Sequence, residues 1–167
     1  MLINLLKNSH GENVYSNWEL TQNGGDQWHI EPTPFDAVAA YFCTSFQPCL
    51  KKQVIDLVQS GYDAAYLDSA PEVIMRDWYS TRGDCGGIYR LTVSLLNASR
   101  AVIATFKPAD VTVPQGTNWT EVTHKFTGYG PGLRFISFEH GGQDDKNWKG
   151  WYGVRVTGSS VTIPPKP

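Results

Sequence analysis

Cysteine is scarce in this 167-residue chain: Cys43, Cys49 and Cys85 are the only three, and no Cys-x-x-Cys pair occurs. Three thiols do not make a disulfide framework, and a chain of this length can build a core without one. The expectation is three reduced, small apolar side chains, with a single Cys43–Cys49 bridge as the alternative. The four histidines, His10, His29, His124 and His140, are scattered, so neither a structural zinc site nor another metal or cofactor is expected. Long apolar runs are also missing, and none approaches the roughly 20 residues of a bilayer-crossing helix. The opening Met1–Asn8 is apolar only briefly, broken by Asn4 and Lys7, and does not read as a signal peptide. On that reading the chain is expected to be cytoplasmic, and the tripeptides Asn97-Ala98-Ser99 and Asn118-Trp119-Thr120 are chance glycosylation matches. Charge of one sign is lacking too. A net charge of -2 gives no basic surface for nucleic acid or an anionic membrane. Phosphate-loop, His-Glu-x-x-His and Gly-x-Ser-x-Gly patterns are absent.

What the chain does have is 41% hydrophobic residues, 13% aromatics, 16 glycines and 10 prolines. That mixture predicts one soluble all-β domain of short strands joined by many turns. The clearest strand is Ile88–Leu96, where Tyr89, Leu91, Val93 and Leu95 share one face and Arg90, Thr92 and Ser94 the other. Weaker alternation marks strands at Val73–Trp78, Ala101–Phe106, Val111–Val113, Leu133–His140, Gly153–Thr157 and Val161–Ile163. Turns are expected at Asn23-Gly24-Gly25-Asp26, Pro114-Gln115-Gly116, Gly128–Gly132 and His140-Gly141-Gly142. Lys52–Val58 reads as a strand, followed by a short helical turn near Tyr62–Leu67. Pro164–Pro167 forms a frayed Pro-rich tail.

The densest chemical signal is Glu139-His-Gly-Gly-Gln-Asp-Asp-Lys-Asn-Trp-Lys-Gly-Trp-Tyr-Gly153. Trp148, between Asn147 and Lys149 and followed by Gly150, suits an exposed loop that presents an indole plate. A sugar offers a face of C–H groups and a rim of hydroxyls, so its binding site pairs a flat aromatic surface with amides, carboxylates and an ammonium. Trp151 and Tyr152 lead into a strand and read as packing residues, while Asp144-Asp145 reads as a solvated acidic turn. Asp77, Asp84, Glu139, Asp144 and Asp145 could supply a catalytic carboxylate pair only at a separation of about 5–9.5 Å. No nucleophile or base is marked beside them, and the chain is expected not to be an enzyme.

Several runs together resemble a known family. They are Asn4-Leu-Leu-Lys-Asn8, Asn23-Gly-Gly-Asp26, Gln53-Val-Ile-Asp-Leu57, Asp77-Trp-Tyr79, Tyr129-Gly-Pro-Gly132, Phe138-Glu-His-Gly-Gly-Gln-Asp144, Trp148-Lys-Gly-Trp151, Arg155-Val-Thr157 and Ser159-Ser160-Val161. In this order, over nearly the whole chain, they are similar to the F-box-associated domain of the sugar-recognising F-box proteins, substrate receptors of ubiquitin ligases. The resemblance implies an antiparallel β-sandwich, a galactose-binding-like jelly roll with at most one short helix. It places a sugar-binding domain at 1–163, ahead of the Pro-rich tail at 164–167. It also implies a ligand, the inner chitobiose core of high-mannose N-glycans on glycoproteins, bound without catalysis by loops at one end of the sandwich. Matched residue by residue, the stacking tryptophan is Trp148 and the lysine after it Lys149. The loop aspartate is Asp84, and the phenylalanine after a Thr-Ser pair is Phe46.

Two departures bear on function. Sugar-binding members usually carry tyrosine directly before the tryptophan, where this chain has Asn147, which can bond a hydroxyl but supplies no aromatic wall. The F-box that recruits the ligase adaptor precedes this domain in the family, so an adaptor is a partner only if an F-box is attached outside this chain. The competing expectation is a glycan-independent protein-interaction domain on the same scaffold.

Overall fold

The computed structural model describes residues 3–32 and 40–166. Met1, Leu2 and the last tail residue, Pro167, lie outside the described residues. In chain order the elements are β1 (Glu19–Asn23), β2 (His29–Pro32), β3 (Ala40–Cys43), β4 (Cys49–Asp56), α1 (Ala64–Asp68) and β5 (Val73–Ser80). Then follow β6 (Gly87–Leu96), β7 (Val102–Phe106), β8 (Val111–Val113), β9 (Thr120–Phe126), β10 (Phe135–Asp144) and β11 (Arg155–Thr162). One sheet runs β1-β4-β10-β6-β7 with β8 also on β6, and the other runs β2-β3-β11-β5-β9. Every strand pair is antiparallel. The fold is the expected two-sheet β-sandwich with one short helix.

Alternation explains the centre of the first sheet. Tyr89, Leu91, Val93 and Leu95 of β6 are all buried, beside Ile136 and Phe138 of β10 and Ile55 of β4. From the second sheet, Val73 and Met75 of β5, Val156 and Val161 of β11, and Phe42 of β3 close the same core. Each large aliphatic side chain so buried stabilises the fold by about 1.5–3 kcal/mol. The cysteines are free thiols, buried as small apolar groups.

His140-Gly141-Gly142 is not a turn but the middle of β10. A Cβ on Gly141 would lie 1.9 Å from the Cys49 carbonyl oxygen, and one on Gly142 1.8 Å from that of Ile88. The glycines therefore let β4 and β6 flank β10 closely, and sequence punctuation alone does not separate that role from a turn. Gly153–Thr157 and Val161–Ile163 join into β11, whose register slips between Thr157 and Ser160. Gly158 sits in that slip with φ of 66°, where a left-handed backbone favours glycine. The strand expected over Lys52–Val58 begins earlier, at Cys49, and the helical turn is α1. At the tail, the Tyr62 and Tyr66 hydroxyls donate to the carbonyls of Ile163 and Pro164, at 3.0 and 2.7 Å.

The core also holds a polar cluster. Asp77 of β5 accepts from the Tyr89 hydroxyl at 2.6 Å and the Ser159 hydroxyl at 2.7 Å, and its Oδ2 lies 2.6 Å from His140 Nδ1. Lys51 of β4 pairs with His140 across the sheet, its Nζ 3.1 Å from the Trp18 ring centroid and 3.9 Å from that of Phe42. Burial lowers the Lys51 amine well below its ordinary value, and it pushes the His140 imidazole down to about 4. Asp77, one of the carboxylates considered for catalysis, is fully buried.

Candidate functional site

Five loops gather at one end of the sandwich: 24–28, 44–48, 81–86, 114–119 and 145–154. Hydrogen bonds tie them into one frame. Thr44 N–H donates to Val154 O at 3.2 Å and Gly153 N–H to Thr44 O at 3.1 Å. Asp145 N–H donates to Gly86 O at 3.2 Å, and Thr81 N–H to Thr117 O at 3.1 Å. Gly24 N–H donates to Pro48 O at 3.1 Å.

The 145–154 loop is shaped by Asp144, the last residue of β10. Its carboxylate accepts the backbone N–H groups of Lys146 at 3.0 Å, Asn147 at 2.6 Å and Trp148 at 3.2 Å. Asp144 is thus buried as a loop anchor, whereas Asp145 is exposed, so the expected solvated pair is split. Three N–H groups on one carboxylate bend the chain sharply, and Asn147 takes a left-handed φ of 56°. Asparagine tolerates that conformation better than most residues.

Trp148 follows directly and is 41% exposed. Its ring meets the edge of Tyr152 at 5.4 Å between centroids, with Lys146 Nζ 4.7 Å above it. Its indole N–H makes no hydrogen bond within the described residues. Lys149 is exposed and likewise makes no hydrogen bond or ion pair there.

Asp84 reaches the same place by two routes. Its backbone carbonyl accepts from Lys146 Nζ at 3.1 Å, and its carboxylate is held by Arg82 Nε at 3.0 Å. The Arg82 guanidinium in turn lies 4.6 Å from the Tyr152 ring centroid. The Arg82 hydrogen bond keeps the Asp84 carboxyl below the usual carboxylate range, so it remains an ionised acceptor.

Phe46 is half-buried and enters from the 44–48 loop. Next to it, Ser45 Oγ donates to Gly150 O at 2.6 Å and accepts from Asp26 N–H at 2.8 Å. All five sequence-derived candidates, Phe46, Asp84, Asn147, Trp148 and Lys149, therefore sit on this one loop end.

Arg82, Lys146 and Ser45 were not among those candidates, yet they orient them. Ser45 belongs to the Thr-Ser pair that marks Phe46 and Lys146 to the run around Trp148, while Arg82 is signalled only by standing two residues before Asp84. Trp151 differs from expectation in part. Its N–H is fixed by Gln27 O at 2.9 Å and Asp26 O at 3.3 Å, but the residue is 37% exposed. Chemically, the end offers flat apolar surface bordered by exposed carboxylates, of which Asp84 is paired with Arg82, by the unpaired Lys149 ammonium and by an asparagine. Among the described residues no three His, Cys, Asp or Glu side chains are placed to share a metal ion, and no helix is long and apolar enough to cross a membrane.

Known proteins resemble the chain in fold and in sequence. The TmCBM61 module, solved in complex with β-1,4-galactotriose, matches 97% of the chain and 99% of its own at a TM-score of 0.59 with 13% identity. A family 16 carbohydrate-binding module-2 matches 95% of the chain and 99% of its own at 0.56 with 15% identity. At such identities the likeness is one of fold. In sequence, F-box only protein 2 of Bos taurus is 46% identical, covering 97% of the chain and 59% of that protein. Human F-box only protein 44 is 44% identical over 98% of the chain and 69% of its own length. Human F-box only protein 6 is 43% identical, again over 98% of the chain, and the chain spans 59% of it. The family model of the F-box associated region matches residues 2–163, and the chain belongs to that family.

Proposed function

We propose that this chain is a non-catalytic glycan-recognition domain whose ligand is the chitobiose core of high-mannose N-glycans on glycoproteins. The observation that carries the reading is the half-exposed Trp148 indole, with Lys149 unpaired beside it and Asp84 and Phe46 at the same loop end. Trp148 stacks on the face of one N-acetylglucosamine ring, where C–H groups meet the negative face of the indole. Phe46 packs an acetamido methyl or a ring face. Asp84 accepts from hydroxyls, Lys149 donates to hydroxyl or acetamido oxygens, and Asn147 can do either. Each such polar contact is worth about 0.5–1.5 kcal/mol net, so affinity per sugar is modest.

Residues 1–163 form the recognition domain and 164–167 a Pro-rich tail. In the cytosol it serves as the substrate-binding part of a ubiquitin ligase receptor, with the adaptor held by an F-box outside this sequence. Membership of the F-box associated region family supports the receptor role. The sandwich fold shared with carbohydrate-binding modules is compatible with the ligand class.

One observation favours a second reading, a protein-interaction domain indifferent to glycans: Asn147 stands where the family's sugar binders usually carry tyrosine. A glycan array separates the two, read beside capture of glycoproteins before and after enzymatic deglycosylation. Signals confined to chitobiose-containing glycans, with capture lost on deglycosylation, are expected. An empty array with capture indifferent to deglycosylation supports the second reading and overturns the first.

A further inference from the structure

The described residues contain seven exposed large hydrophobics, Ile3, Val14, Val54, Val58, Val102, Trp148 and Trp151. The only two aromatics among them stand three residues apart on one loop. They face different neighbours. Trp148 leans on Tyr152 and Lys146, whereas Trp151 stacks on His29 at 4.3 Å between centroids and 23° between planes. His29 is itself open, its side chain 40% exposed, with Nε2 4.0 Å from Glu31 Oε1. The Trp151 indole N–H is already spent on the Asp26 and Gln27 carbonyls, so its exposed part is ring surface rather than a donor.

This second plate is fixed relative to the first. Gly150, between the two tryptophans, donates to Asp26 Oδ2 at 2.6 Å and accepts from Ser45 Oγ at 2.6 Å. The same Asp26 carries the carbonyl that receives the Trp151 indole. A Cβ on its neighbour Gly25 would lie 3.0 Å from the Phe46 ring, so the 24–28 turn packs directly on the other candidate sugar contact. An open His–Trp plate, rimmed by a carboxylate and joined rigidly to a site that takes one pyranose pair, has the chemistry of another pyranose subsite.

We propose that Trp151 and His29 form a second subsite of the glycan-binding end, which stacks a further pyranose of the same glycan beyond the chitobiose on Trp148. This rests on the glycan-recognition reading. Two stacking plates with separate neighbours on one loop make the domain discriminate by glycan length, because a disaccharide seated on Trp148 leaves the His29–Trp151 plate bare.

The test compares two probes, chitobiose and the same core extended by mannoses, titrated by calorimetry into the wild-type chain, Trp151→Ala, Trp151→Phe and His29→Ala. Wild type is expected to bind the extended glycan more tightly than chitobiose. Trp151→Ala and His29→Ala should each lose about three- to tenfold in affinity for the extended glycan. Chitobiose affinity should stay unchanged, and Trp151→Phe should retain most of the extended-glycan gain. Melting curves verify folding, and His29→Ala carries the test if Trp151→Ala does not fold. Equal losses for both probes, or no loss for the extended one, overturn the second subsite while leaving the first intact. Loss on a glycopeptide but not on the free extended glycan assigns the plate to polypeptide and also overturns it. If wild type binds neither probe, the glycan reading itself fails and this subsite with it.

Discussion

A lysine ammonium lies over a tryptophan ring both in the sealed core and at the exposed loop end. In the core, Lys51 Nζ lies 3.1 Å from the Trp18 centroid, and at the loop end Lys146 Nζ lies 4.7 Å from that of Trp148. Each place also has an aspartate that gathers several donors. Asp77 holds the side chains of Tyr89, His140 and Ser159, whereas Asp144 holds three successive backbone N–H groups. The residue types are nearly the same, and water decides what they do. Sealed in the sandwich, they cost desolvation and fix how the two sheets meet. At the rim the indole of Trp148 stays open to water beside the unpaired Lys149, while the Asp84 carboxylate, though exposed, is held by Arg82.

The largest effect that tests this contrast comes from the core. Asp77→Ala strips Tyr89, His140 and Ser159 of their shared acceptor and, at about 1–3 kcal/mol for each buried donor left unsatisfied, should cost about 3 kcal/mol or more in urea unfolding. A loss under 1 kcal/mol would mean that the cluster does not hold the sheets.

Lys51→Met sharpens the same side through pH. Both Lys51 and His140 have folded pKa values depressed chiefly by burial, so the unfolded chain takes up protons that the folded one refuses. Their contribution is full above the unfolded values of 10.5 and 6.5 and is lost as pH falls, for His140 down through about 4. At about pH 7–8 the His140 contribution is nearly complete, and the unfolded chain's thiols, ordinary value 9.0, are still mostly protonated. An amine held neutral by burial therefore makes wild-type stability rise with pH there. Lys51→Met should lose that rise while being at least as stable near pH 7. Equal slopes for the two proteins would contradict a neutral buried amine.

Trp148→Ala probes the other region. Chitobiose affinity should fall at least tenfold, about 1.4 kcal/mol, with the melting curve little changed. Unfolding of the variant would make this tryptophan a packing residue like Trp18.

The smallest expected effect is that of Asn147→Gly. Glycine accepts the left-handed φ at this position, so stability should stay within about 0.5 kcal/mol. Any affinity change then reports the asparagine side chain alone.

These regions also differ in how far the sequence announces them. β6 was legible because one face is buried and the other is not, which writes a period of two into Tyr89, Leu91, Val93 and Leu95. β1 was not, because the edge strand Glu-Leu-Thr-Gln-Asn is mostly exposed and needs no apolar stripe. Neither was β9, Thr-Glu-Val-Thr-His-Lys-Phe, whose inward side carries only Val122 and Phe126 as apolar residues. β3 was missed for the opposite reason, since Ala40–Cys43 is buried on both faces and has no alternation. At the loop end, Trp148 was legible from its Gly, Asn and Lys neighbours. Its supports, Arg82 and Ser45, come from loops distant in sequence and meet it only through the fold. Lys51 gave no signal at all, because a lysine in a strand reads as solvent-facing until its burial is seen.

The most direct measurement is the indole N–H region of the proton–nitrogen NMR spectrum during a chitobiose titration. The chain has six tryptophans. The Trp148 signal should move in a saturable way, while Trp18, whose N–H is bonded to the Asn8 carbonyl at 2.8 Å in the core, should stay fixed. A Trp148 signal unmoved at millimolar chitobiose, in a sample whose other resonances show a folded chain, would contradict the account.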